Sequence, residues 1–216
     1  MRFKALIPAL LLAFAATGLP IKAFAEAQIK LVGFGDSLMA AYNLQGNEGF
    51  PARLEAALRE RGHDVEIADA GVSGDTTSGG LARLDWSIPD GVDGVILELG
   101  ANDALRGLPP ETTRENLEAM ITRLNERGID VLLAGMLAPP NMGSDYEAAF
   151  NAIYPELAAK YDLTLYPFFL NGATGNPALL LSDGMHPNAN GINTMVENFT
   201  PVADQFIAQI KAKKDM

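Results

Sequence analysis

The 216-residue chain contains no cysteine and only two histidines, His63 and His186. The absence of cysteine excludes a thiolate nucleophile, a cysteine-ligated metal site and a disulfide framework. Basic residues are also few, because 16 Lys and Arg stand against 27 Asp and Glu, which gives a net charge of −11. A protein that neutralises phosphates needs a basic face, so the composition argues against nucleic acid as a partner.

The first 25 residues have the order of a secretory signal peptide. Arg2 and Lys4 precede an almost wholly apolar run over 5–20, and Ala23-Phe24-Ala25 has the small-residue pattern of a cleavage site. The run is shorter than the ~20 residues that a membrane-spanning helix needs. We therefore expect export to the periplasm or the medium, cleavage after Ala25 and no stable membrane anchor afterwards. An uncleaved anchor is the alternative. Cleavage removes three basic residues and no acid, which changes the net charge from −11 to −14.

Residues 26–216 predict a single α/β domain, because strand-like runs alternate with helical patterns. The predicted strands are 29–34, 64–70, 94–99, 129–136 and 163–169, and the predicted helices are 51–61, 81–86, 110–127, 144–161 and 191–213. Alternation of this kind is typical of a parallel sheet with helices on both faces. We expect a three-layer α/β/α fold with a five-stranded, mainly parallel sheet. The aromatic residues Trp86, Phe168 and Phe169 are expected in its core.

Four short segments that combine glycine with polar residues each follow a predicted strand: 35–38, 71, 100–103 and 183–187. The first three advance along the chain by about one βαβ unit, because 34 residues separate Ser37 from Gly71 and 31 separate Gly71 from Asn102. They therefore return to the carboxyl edge of the sheet, where open α/β proteins bind their ligands.

A serine hydroxyl is a poor nucleophile unless a base takes its proton, so Ser37 needs a histidine. His186 is the candidate base, because His63 lies between a predicted helix end and a strand start, at the opposite edge of the sheet. Asp183 precedes His186 by three residues and is the candidate for holding the imidazole in the required tautomer. We expect His63 to be a surface residue.

Acyl transfer also needs hydrogen-bond donors for the oxyanion of the tetrahedral intermediate. The candidates are the backbone N–H groups of Ser37 and Gly71 and the side-chain amide of Asn102. Each residue taken alone is more typical of a turn or a helix cap. Their joint placement at one sheet edge favours a catalytic site.

Taken in order, the blocks GDSL, Gly71, GAND and DGMHP resemble those of the SGNH (GDSL) hydrolases. The resemblance extends from about 29 to 210 and is closest to the periplasmic multifunctional acyl esterases (thioesterase I, protease I and lysophospholipase) and to arylesterases. It implies a flavodoxin-like α/β/α fold. It also implies a catalytic triad and an oxyanion hole that carry over to Ser37, Asp183 and His186, and to Ser37, Gly71 and Asn102.

The sequence thus predicts a carboxylic ester hydrolase that cleaves acyl or aryl esters through an acyl-Ser37 intermediate, with thioesters and lysophospholipids as further substrates. Its expected partner is a small or lipid-like ester. No cofactor and no metal ion are expected, because the chain lacks the phosphate-loop, zincin and calcium-loop motifs. Two alternatives stay open, a carbohydrate O-deacetylase of the same fold and a non-catalytic envelope binding protein. The sequence leaves the oligomeric state and the acyl-chain length open.

Overall fold

A five-stranded parallel sheet forms the centre of the protein in a computed structural model, which describes residues 27–215. The predicted signal peptide, 1–25, lies outside these residues. The strands are β1 (Ile29–Gly35), β2 (Val65–Gly71), β3 (Gly94–Glu98), β4 (Asp130–Ala134) and β5 (Thr164–Tyr166). Their order is β2-β1-β3-β4-β5, and every neighbouring pair is parallel. The predicted sheet is confirmed.

Helices cover both faces of the sheet. Between residues 27 and 215 they are α1 (Phe50–Glu60), α2 (Thr77–Ser87), α3 (Ala101–Leu105), α4 (Pro110–Glu126), α5 (Ser144–Asn151), α6 (Ile153–Tyr161) and α7 (Ala189–Lys214). Helix α1 packs against α7, while α4 packs against both α2 and α6. This arrangement gives the three layers that the sequence predicts. No helix in this part of the chain is long and apolar enough to cross a bilayer.

The burial of each strand follows its place in the sheet. Strand β3 lies in the middle, and all of its residues are buried, including the charged Glu98. Strand β2 lies at the edge and alternates between buried and exposed positions in its first half. Because helices cover both faces of a central strand, its sequence is a nearly continuous apolar run, and this pattern predicts β3.

The prediction of one helix over 144–161 is wrong, because α5 ends at Asn151 and α6 begins at Ile153. Pro155 explains the break. Proline has no N–H to donate to the carbonyl four residues earlier, here that of Asn151, and its ring crowds that carbonyl. The short helix α3, which carries Asn102, was not predicted at all.

The expectation that Trp86 lies in the core is also wrong, because its side chain is 77% exposed. Trp86 stands two residues after Leu84, so it points away from the face of α2 that Leu84 buries. Of the other two aromatic residues, Phe169 is fully buried, whereas Phe168 is only half-buried.

Arg83 of α2 is buried and ties the helix to the carboxyl edge of the sheet. Its guanidinium donates to the carbonyl oxygens of Gly35 (2.9 Å) and Ala70 (2.8 Å), and its Nε donates to the Asp75 carboxylate (2.6 Å). The guanidinium carbon lies 4.1 Å from the centre of the Phe34 ring. Removal of the guanidinium would therefore leave the Asp75 carboxylate without its cationic partner and take one hydrogen-bond donor from each carbonyl, although the Gly35 carbonyl keeps the Val72 N–H.

We expect Arg83→Ala to lower the free energy of unfolding by about 3 kcal/mol, because it leaves the partly buried Asp75 carboxylate without its cation and removes the packing of the guanidinium on Phe34. Arg123→Ala is the matched control. It removes an exposed arginine that pairs with Asp85 at 3.3 Å, and it should cost no more than about 0.5 kcal/mol. Urea unfolding followed by circular dichroism measures both. Equal losses in the two variants would contradict a structural role for Arg83.

Candidate active site

Ser37 stands on the turn that follows β1, at the carboxyl edge of the sheet. Its Oγ lies 2.8 Å from Nε2 of His186, although the two residues are 149 positions apart in the chain. The turn is closed by hydrogen bonds from the Ala40 N–H to the Asp36 carbonyl (3.0 Å) and from the Tyr42 N–H to the Ser37 carbonyl (3.4 Å). The structure therefore brings together the predicted serine and histidine.

Asp183 and His186 share a tight turn rather than a helix. Oδ2 of Asp183 lies 2.7 Å from Nδ1 of His186, and Oδ1 accepts the backbone N–H groups of His186 (3.0 Å) and Met185 (2.9 Å). These hydrogen bonds, led by the one from the His186 N–H, lower the pKa of Asp183 to about 2. An ionised carboxylate only accepts hydrogen bonds, so the imidazole carries its proton on Nδ1. Nε2 is then free to accept the Ser37 hydroxyl.

Tyr42 packs its ring against the imidazole of His186, with 4.3 Å between the ring centroids and 32° between the planes. Tyr42 lies between two non-glycine residues, Ala41 (φ 52°) and Asn43 (φ 55°), whose backbones adopt the left-handed conformation. Tyr42 is not predictable from the sequence, because no motif or spacing distinguishes it from any other tyrosine on a loop.

Asn102 lies in the first turn of α3, directly after β3. Its Nδ2 donates to Oδ2 of Asp36 at 2.9 Å, which leaves the second N–H of the same amide without a protein partner among residues 27–215. In that part of the chain the Ser37 N–H also donates to no acceptor. Two of the three predicted oxyanion donors thus stand free at this edge.

Gly71, the third predicted donor, ends β2 and pairs with Gly35 of β1. Its N–H is already used, because it donates to Oδ1 of Asp69 at 2.8 Å. The predicted site residue therefore reaches the correct edge, but its N–H is not a free donor in this structure. Asp69 gave no signal in the sequence, since an aspartate two residues before a glycine is common in turns.

Two fully buried carboxyl groups, those of Asp36 and Glu98, lie behind Ser37. Oδ1 of Asp36 accepts the Leu38 N–H (3.0 Å), and Oε2 of Glu98 accepts the Asp36 N–H (3.2 Å). Burial is the main cause that raises the pKa of Asp36 to about 6, although the hydrogen bonds from Leu38 and Asn102 oppose it. Burial, followed by the charge of Asp36, raises the pKa of Glu98 well above its usual range.

A cavity of about 520 Å³ opens beside Ser37, Asn102 and His186. Its walls come from several loops and are mostly apolar, with contributions from Leu105, Met136, Leu137, Phe168, Leu170 and Met185. Leu105, Leu137 and Met185 are each between 46% and 57% exposed. Exposed apolar side chains that gather around one opening are typical of a binding site for an apolar group.

His63 lies just before β2, at the opposite edge of the sheet from Ser37, as predicted. It is not simply a surface residue, because it is partly buried and its Nε2 lies 3.0 Å from Oδ1 of Asp204 in α7. Within residues 27–215 no group of three or more acidic or histidine side chains is arranged to hold a metal ion.

Known proteins are similar to this chain in sequence and in fold. The GDSL-like Lipase/Acylhydrolase family matches residues 34–192. An arylesterase of Vibrio mimicus is 40% identical over 168 residues, which are 77% of this chain and 84% of that protein. The thioesterase 1/protease 1/lysophospholipase L1 of Escherichia coli (strain K12) is 36% identical over 165 residues, which are 76% and 78% of the two chains.

A solved structure is also similar to this chain in sequence and in fold. AlinE4, an esterase of the SGNH-hydrolase family, superposes with a TM-score of 0.70 at 44% identity and covers 83% of this chain and 96% of its own. The resemblance seen in the sequence is confirmed by these matches. The chain belongs to the GDSL-like lipase/acylhydrolase family.

Proposed function

We propose that this carboxylic ester hydrolase uses Ser37 as its nucleophile, His186 as its general base and Asp183 as the acid that orients the base. One observation carries the proposal, the unbroken chain of contacts from Ser37 Oγ to His186 Nε2 (2.8 Å) and from His186 Nδ1 to Asp183 Oδ2 (2.7 Å). These are the distances over which a proton passes from a hydroxyl to an imidazole and over which a carboxylate steadies the resulting cation.

The reaction then follows from this geometry. Ser37 Oγ attacks the carbonyl carbon of the ester while Nε2 of His186 takes the hydroxyl proton. The tetrahedral intermediate collapses to acyl-Ser37, and the imidazolium returns the proton to the leaving alcohol or thiol. His186 next takes a proton from water, which attacks the acyl group. The acyl–Ser37 bond then breaks, the imidazolium returns the proton to Ser37 Oγ, and the carboxylic acid leaves. The chain supplies every proton acceptor in this cycle and needs no cofactor.

The oxyanion is held by the Ser37 N–H and by the free N–H of the Asn102 amide, whose nitrogen contacts Asp36 beside Ser37. Gly71 adds a third donor only after its N–H leaves Asp69. Preorganised donors of this kind act where negative charge develops, and each is worth ~10²–10³ in kcat. Two ready donors are sufficient for the reaction that we propose.

Ser37→Ala should abolish ester hydrolysis. Asp183→Asn should lower kcat by ~10²–10⁴, because an amide N–H facing Nδ1 favours the wrong imidazole tautomer. Asp204→Asn is the matched control, since it alters a carboxylate that contacts the other histidine, His63, and it should hydrolyse p-nitrophenyl butyrate at the wild-type rate. Fluorophosphonate labelling followed by mass spectrometry should place one adduct on Ser37. Undiminished turnover in Ser37→Ala would contradict the assignment, and a folded wild-type protein without an adduct would favour a binding protein.

The substrate class follows from the cavity. Its mostly apolar walls support acyl or aryl esters and thioesters, with lysophospholipids as candidates whose acyl chain occupies the same space. The net charge of −14 expected after cleavage argues against attraction to anionic lipid surfaces, so such a substrate is held by its apolar part. A sugar substrate would need more polar groups in the walls than the cavity offers, which disfavours the deacetylase alternative.

For p-nitrophenyl esters, kcat/KM should rise from acetate to hexanoate, by up to ~4-fold for each methylene that the cavity buries. Leu137→Ser should reduce the preference for hexanoate and leave acetate hydrolysis close to wild type. Trp86→Ser, which removes an exposed side chain outside the cavity, is the control and should keep the wild-type preference. A strict limit to acetate in the wild type would contradict an acyl cavity and favour a deacetylase.

We also propose that the protein is exported and cleaved after Ala25, on the strength of the charge, apolar run and small-residue order of 1–25. Expressed as the full chain in a Gram-negative host, it should appear in the periplasmic fraction with Glu26 as its first residue. Ala23→Gln combined with Ala25→Gln should block cleavage and leave the protein attached to the membrane. Intact-mass measurement distinguishes the two forms, and a soluble wild-type protein that still begins with Met1 would contradict the proposal.

A further inference from the structure

The fully buried Glu98 has no part in the proton transfers of the proposed reaction, yet it lies directly behind the nucleophile turn. It is the last residue of β3, and it stands beside Gly35 in the pairing of β1 with β3. A Cβ at Gly35 would overlap Oε2 of Glu98, so the neighbouring strand leaves space for this carboxyl group. Oε2 accepts the Asp36 N–H, while Oε1 has no hydrogen-bond partner among the described residues.

Asp36 connects this carboxyl group to the oxyanion donors. One oxygen of its side chain holds the Leu38 N–H and thereby the turn that presents Ser37. The other oxygen accepts Nδ2 of Asn102. The backbone and side chain of Asp36 therefore contact Glu98 on one side and Asn102 on the other.

We propose that Glu98 is a positioning residue for ester hydrolysis, which acts as a neutral carboxylic acid and fixes Asp36 so that the Asn102 amide presents its N–H to the oxyanion. The inference rests on the proposed function, because it takes Asn102 as an oxyanion donor.

The charge states follow from burial. Two carboxyl groups so close together in an apolar interior cannot both be ionised, and the one with fewer hydrogen-bond donors keeps the proton. Asp36 has donors on both oxygens, whereas one oxygen of Glu98 has none. The charged or titratable groups that face Asp36 are Glu98, His186, Asp75 and Tyr154, and those that face Glu98 are Asp36 and the buried hydroxyl of Tyr154.

The orientation of Asn102 depends on this arrangement. An ionised Asp36 only accepts hydrogen bonds, so the amide must turn its nitrogen toward it, and the second N–H of that nitrogen is left for the oxyanion. A protonated Asp36 can donate instead, which would allow the amide oxygen to turn toward Asp36. A neutral Glu98 satisfies the Asp36 N–H without adding a second negative charge that would push Asp36 toward protonation.

The first test compares two substitutions of Glu98. Glu98→Leu fills the space but leaves the Asp36 N–H without an acceptor, and we expect it to lower kcat for p-nitrophenyl butyrate by ~10-fold with KM within ~2-fold of wild type. Glu98→Gln is neutral and keeps an acceptor oxygen, so it should restore most of the lost kcat. Wild-type kcat in Glu98→Leu would overturn the proposal, and so would a Glu98→Gln variant as slow as Glu98→Leu.

Asn102→Ala separates failure of this inference from failure of the proposed function. It should lower kcat by ~10²–10³ if Asn102 holds the oxyanion. An unchanged kcat would remove the oxyanion assignment itself and the inference with it. A slow Asn102→Ala variant beside a wild-type rate in Glu98→Leu would leave the proposed function intact and overturn the role of Glu98 alone.

The second test measures the proton on Glu98 and does not depend on activity. A carboxyl group whose pKa is raised on folding binds a proton that the unfolded chain releases above about pH 4.5, so wild-type stability falls as the pH rises through that region. Glu98→Gln lacks this loss. The melting temperature of Glu98→Gln minus that of the wild type should therefore increase by about 3 °C or more from pH 5 to pH 8. A difference that is independent of pH would overturn the proposed neutral state.

Discussion

The close packing of the Ser37 turn over the ends of β1 and β2 is the constraint on which the rest of the site depends. Gly35 and Gly71 pair across these two strands, and a side chain on either would overlap Glu98 or Ala40. Because both positions lack a Cβ, the turn can fold back onto the sheet edge. Its hydroxyl then reaches an imidazole that comes from the far end of the chain. The two glycines thus determine the spacing between Ser37 and His186 through the space that they leave for the turn.

The carboxyl groups at this edge show how burial and hydrogen-bond donors, rather than residue type, set the pKa of an acid. Asp183 accepts three hydrogen bonds on an accessible turn, and its pKa falls to about 2, so it remains an anion beside His186. Glu98 is fully buried and accepts one hydrogen bond, so its pKa rises instead. The site therefore lowers the pKa of one carboxyl group and raises that of another, a difference that residue type alone does not show.

The parts of the site that could be predicted are those that a strand end delivers. Ser37 and Asn102 follow β1 and β3, and Gly71 ends β2, at intervals of about one βαβ unit, so their meeting at one edge follows from topology alone. Tyr42 and the cavity residue Leu137 could not be predicted, because irregular segments place them and no period marks such segments. The hydrogen bond from the Gly71 N–H to Asp69 could not be predicted either, because it depends on a side-chain rotamer within a turn.

The proposed catalytic residues and the residues that shape the cavity mostly come from different parts of the fold. The exceptions lie on α3 and on the turn that contains Asp183 and Met185. Leu105 and Asn102 stand three residues apart on α3, so a shift that widens the cavity at Leu105 also moves the Asn102 amide. Met185 is coupled to the site through its N–H, which Asp183 accepts. Leu137 comes from the loop after β4 and shares no hydrogen bond with the reacting groups. Substitution at Leu137 therefore changes the shape of the cavity with the least disturbance of the chemistry.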